Sequence, residues 1–78
     1  MKIEILGMGC IKCRKLYENT QAAVKELGLE AEIVKVEDME KITGYGVVVT
    51  PALAVDGKVK TTGSIASIDE IKRKITNV

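Results

Sequence analysis

The sequence predicts one α/β domain over residues 1–78, with a four-stranded mixed sheet and the element order βαβαββα. Three observations lead there. The chain has 78 residues, enough for a single small domain. Its apolar content rests on 23 Ile, Val and Leu residues with no Phe or Trp, a β-branched majority that suits strands. The apolar period alternates along the chain between the two of a strand and the roughly 3.6 of a helix.

Lys2 to Leu6 alternates charged and apolar residues and stops at Gly7, which reads as the first strand. From about Cys10 the period lengthens: Leu16, Thr20, Ala23, Val24 and Leu27 recur at helical spacing, and Gly28 is a helix stop. Glu30 to Val36 reads as a second strand, with Ile33, Val34 and Val36 as its apolar members. A helix of this length between two strands implies a parallel pair joined by a right-handed crossover. Asp38 is placed to cap a short helix ending near Gly44. Ala52 to Val55 and Lys58 to Lys60 flank Asp56-Gly57, a strong signal for a tight antiparallel hairpin. Ser67 and Glu70 have capping-box spacing, and Ile68, Ile71, Ile75 and Val78 follow on one face of a last helix.

Twelve basic and eleven acidic residues leave a net charge of +1, with no basic stripe interleaved with aromatics, so nucleic acid is not an expected partner. No apolar run approaches a membrane span, and Glu4 with two glycines interrupts the first nine residues where a signal peptide would need its apolar core. A cytosolic location and a monomer are expected. In that reducing compartment two close cysteines point to catalysis or metal binding before a structural disulfide.

Those cysteines stand in GMGCIKC, between a strand and a helix. Cys10, at or near the N-cap, meets unpaired backbone N–H groups and the positive end of the helix dipole, which favour thiolate over thiol. Lys12 and Arg14 add positive charge. Cys13 lies one helical turn on, within reach for a disulfide, and is expected to point inward. Cys-x-x-Cys alone leaves redox chemistry and metal binding both open.

Far along the chain, VVVTPALAVDGKV sets Thr50-Pro51 immediately before a strand. With the cysteine motif upstream and the hairpin downstream, the whole chain resembles the thioredoxin superfamily, most closely its short glutaredoxin-sized, thioredoxin-like redox-active disulfide proteins. The resemblance implies a three-layer fold with helices on both faces of the sheet. It also implies a protein disulfide oxidoreductase that acts as an electron carrier without a bound cofactor. Cys10 matches the attacking cysteine, Cys13 the resolving one, Pro51 the cis-proline, and Thr50 the residue whose backbone pairs with an extended client. Met8, Gly9, Ile11 and Lys12 complete the implied substrate-binding surface. Disulfide-containing proteins are the implied clients, and a thioredoxin-reductase-like flavoprotein the implied electron donor.

The match departs from the family pattern at several points. Gly9 stands where thioredoxins carry Trp, Ile11-Lys12 replaces their Gly-Pro, and the segment from Thr62 to Ser67 lacks the acid with which glutaredoxins seat glutathione. Glu4 is the nearest thought for the carboxylate that assists proton transfer in thioredoxins. On a sheet face covered only by the short second helix, it is expected to be solvated. Gly7-Met8-Gly9-Cys10-Ile11-Lys12-Cys13 is also similar to the loop of heavy-metal-associated domains, whose two thiolates, here Cys10 and Cys13, hold Cu(I) or Zn(II). Those domains run βαββαβ and end on a strand.

Overall fold

The computed structural model describes residues 1–9 and 11–76. Its elements are β1 (Lys2–Leu6), α1 (Ile11–Leu27), β2 (Glu32–Val36), α2 (Met39–Gly44), β3 (Ala52–Val55), β4 (Lys58–Thr62) and α3 (Ile68–Thr76). This is the predicted order, ending on a helix rather than a strand. Two parts of the sequence reading, Cys10 at the head of the first helix and Val78 on the face of the last, lie outside the described residues.

The sheet order is β2-β1-β3-β4. β1 runs parallel to β2, with Lys2 opposite Glu32 and Leu6 opposite Val36. It is antiparallel to β3, with Ile3 opposite Val55 and Leu6 opposite Ala52. The alternation of side chains then sorts the core into two halves. Ile3, Ile5, Leu53 and Val55 share one face with Leu16, Ala23 and Val24 of α1 and Ile71 and Ile75 of α3. Leu6, Val36, Ala52 and Ala54 share the other with Ile42 of α2 and with Val47. Helices therefore cover both faces, two on one side and one on the other. Each fully buried Ile or Leu contributes about 1.5–3 kcal/mol.

Local chemistry fixes the ends. At the close of α1, Gly28 adopts φ +64°, its N–H donates to Lys25 O at 3.1 Å, and the Leu29 N–H reaches back to Val24 O at 3.2 Å. That is a Schellman cap. It occupies Gly28 and Leu29, so β2 begins at Glu32 and not at the predicted Glu30. The Asp38 side chain accepts from Glu40 N at 3.0 Å and starts α2, and Ser67 Oγ accepts from Glu70 N at 3.1 Å and starts α3. Asp56 and Gly57 have φ of 49° and 85°, the conformation a two-residue hairpin demands. Opposite β3, β4 runs on past Lys60, because Thr61 and Thr62 pair with Leu53 and Ala52 across a register shift between Leu53 and Ala54.

Candidate functional site

The two parallel strands end side by side, with Gly7 N–H donating to Val36 O at 3.0 Å. From there the chain turns through Met8 and Gly9, whose φ of +82° lies in the left-handed region that favours glycine, and enters α1. The first turn of α1 holds no acidic residue, and its backbone N–H groups carry the partial positive charge of the helix end. Cys13 stands in that turn, buried with 6% of its surface exposed. Its Sγ packs so tightly on Gly7 that a Cβ at Gly7 would lie 2.2 Å from it and 3.8 Å from Pro51 Cα. Glycine at position 7 is thus the space in which the sulfur sits.

Pro51 belongs to the second loop of the site. The Thr50–Pro51 peptide bond is cis, Pro51 is buried and Thr50 half-buried. Pro51 O accepts from Gly63 N at 2.9 Å, tying this loop to the one that follows β4. Of the residues expected to form a substrate surface, Met8, Gly9, Ile11 and Lys12 are exposed. Ile11 is 85% exposed, and Val48, just before the proline loop, 94%. The structure brings Gly7, Cys13 and Pro51 together and leaves bare apolar side chains on the loops around them. Among the described residues no three His, Cys, Asp or Glu side chains gather as a metal-holding group.

A family model described as a thioredoxin domain matches residues 1–76. The chain belongs to the thioredoxin family. It is 48% identical over 73 residues to a thioredoxin of Methanothermobacter thermautotrophicus, covering 94% of this chain and 95% of that protein. A thioredoxin of Methanocaldococcus jannaschii is also 48% identical over 73 residues, covering 94% and 84%. The kind of activity the family carries is disulfide oxidoreduction. No helix among the described residues is long and apolar enough to cross a membrane.

In this thioredoxin-family chain Glu4 is not the solvated carboxylate expected from sequence. It is half-buried, on the α2 side of the sheet between Val34 and Ala54 of the paired strands. Its Oε1 accepts a hydrogen bond from the Tyr45 hydroxyl. That bond, helped by burial and by the carboxylate's charge, raises the Tyr45 phenol above its usual pKa of 10.0. The pairing joins residues 41 apart, and no local pattern announces it.

Three further residues went unread as a group. A cleft of about 190 Å³ beside Cys13 is lined by Ile5, Gly7, Gly9, Arg14, Lys35 and Glu37. Glu37 directly follows β2, and its Oε2 would lie 3.4 Å from a Cβ built on Gly9. The Lys35 ammonium sits over the Tyr17 ring, 4.6 Å from its centre. One signal could have found them: Gly7 and Glu37 mark the carboxyl ends of adjacent parallel strands, where α/β sheets commonly place ligands.

Proposed function

We propose that this protein reduces or exchanges disulfides in client proteins by cycling Cys10 and Cys13 between dithiol and disulfide. The observation that carries the reading is the seat of Cys13: a buried sulfur in the first turn of α1, lying against Gly7 and beside Pro51. A resolving thiol belongs there, shielded from solvent. Cys10 attacks the client disulfide as thiolate, forming a mixed disulfide and expelling the client's other sulfur. Cys13 then loses its proton and attacks Cys10. The client leaves reduced, and the two cysteines keep the disulfide.

The client's chain lies along Thr50 and Pro51, with Met8, Gly9, Ile11 and Lys12 on its other flank. The exposed apolar side chains there, Met8, Ile11, Val48 and Val49, support a protein client. A thioredoxin-reductase-like flavoprotein in the cytosol returns the electrons. The observed order βαβαββα argues against the two-thiolate metal carrier.

The test is a redox titration by thiol alkylation, run with and without Cu(I) or Zn(II), together with a Cys13→Ser protein. One two-electron transition is expected, and Cys13→Ser should accumulate a mixed disulfide at Cys10. A Cys13→Ser protein with full dithiol activity, or reduction by glutathione as fast as in ordinary glutaredoxins, would overturn the reading.

A further inference from the structure

The cleft beside Cys13 is too small for a whole cofactor, since about 190 Å³ falls below the roughly 300 Å³ at which ligand pockets begin. It suits one amino-acid-sized group. Its walls carry both signs of charge, Arg14 from α1 and Lys35 from β2 against Glu37 at the end of β2. Lys35 rests on the face of Tyr17, and Glu37 reaches over Gly9, which has no side chain to obstruct it.

We infer that this cleft selects small disulfides bearing both an α-ammonium and an α-carboxylate, of which cystine is the simplest, as substrates beside protein clients. The inference rests on the disulfide-exchange function proposed above. The carboxylate lies between Arg14, whose guanidinium offers two parallel donors, and Lys35, while the ammonium faces Glu37. A disulfide carrying ammonium groups alone brings its charge against two cations. One carrying carboxylates alone meets Glu37.

The chemistry balances without a further reactant. The Cys10 thiolate attacks one sulfur of cystine, the S–S bond breaks, and a cysteine departs as thiolate and takes a proton from water. Cys13 gives its proton to water, attacks Cys10 and releases the second cysteine. Two electrons pass from the protein dithiol to cystine, and an external dithiol restores them.

The experiment follows oxidation of the reduced full chain by cystine, by cystamine, which has only ammonium groups, and by 3,3′-dithiodipropionate, which has only carboxylates. Each rate is divided by that of dithiothreitol with the same disulfide, which removes intrinsic reactivity. Because exposed charge pairs are individually weak, cystine should lead each analogue by about two- to fivefold. Glu37→Gln should abolish the lead over dithiodipropionate, and Arg14→Gln with Lys35→Gln the lead over cystamine. Equal normalised rates would overturn the inference, as would a ranking that all three substitutions leave intact or a faster dithiodipropionate. Insulin reduction separates the two levels. A protein that reduces insulin without preferring cystine loses only this inference, whereas one that exchanges with no disulfide loses the function and the inference with it.

Discussion

Gly7→Ala probes the contact on which the site is built. The new Cβ would stand 2.2 Å from Cys13 Sγ and 3.4 Å from Cys13 Cβ, whereas unstrained carbon contacts settle at roughly 3.5–4.0 Å. More than an ångström has to be opened at the sulfur. Rotating Cys13 out of its well costs about 0.5–1.5 kcal/mol. The 3.4 Å contact with Cys13 Cβ is at the edge of ordinary packing, so the cost falls on reseating the displaced sulfur in a filled interior, and overpacking of this kind costs about 1–3 kcal/mol. A net loss of about 2 kcal/mol lowers the melting temperature by roughly 8–16 °C in a domain of this size. Gly28→Ala is the comparison, because its φ of +64° imposes conformational strain where no other atom lies within 4 Å. Both variants should melt earlier than the parent. Only Gly7→Ala should change the rate at which iodoacetamide modifies Cys13 in the reduced, folded protein, read by peptide mass spectrometry. If Gly7→Ala melts within a degree or two of the parent with Cys13 alkylation unaltered, the sulfur does not sit against Gly7 and the resolving role loses its support.

Ser67→Ala removes the acceptor of Glu70 N and should cost about 1 kcal/mol in urea unfolding, with the slope of the transition unchanged; no change in midpoint would mean that the cap does not hold α3. Tyr45→Phe removes the donor to Glu4 and should cost about 1 kcal/mol at neutral pH. The phenol's pKa is raised in the fold, so its contribution is fully present below the unfolded value of about 10 and is lost as pH rises through the folded value. The parent should therefore lose more stability than Tyr45→Phe above pH 10, and parallel stability curves there would refute the pairing.

What could be read from sequence was what a few neighbouring residues settle among themselves. Asp56-Gly57, Ser67 with Glu70, and Asp38 each specify a turn or a helix start by local hydrogen bonding, and each stands where it was placed. Gly28 gave the end of α1 but not the start of β2, because the cap it forms also engages Leu29 and Val24. Cys13 and Pro51 could be picked out by motif, 38 positions apart in the sequence. Gly7, which receives the Cys13 sulfur, was read only as a strand end, since a missing side chain has meaning only once its neighbours are known. Glu37 and Lys35 reach the cleft because β2 lies parallel to β1, and Glu4 meets Tyr45 because α2 folds back over the sheet. Each of these pairings is a product of register and of nothing local.

The placing of the sheet's outer strands also bears on how the protein tolerates concentration. β2 and β4 form its two margins, and a margin offers open N–H and C=O groups onto which another chain can build. β4 carries Lys58 and Lys60, and β2 carries Glu32 and Lys35. A second molecule adding its own β4 alongside would bring lysines toward lysines. The two inner strands, β1 and β3, which bury Ile3, Ile5 and Leu6 and all of Ala52–Val55, are enclosed between these borders. A chain whose core consists almost wholly of aliphatic residues, many of them strand formers, thereby keeps its most adhesive segments away from its neighbours.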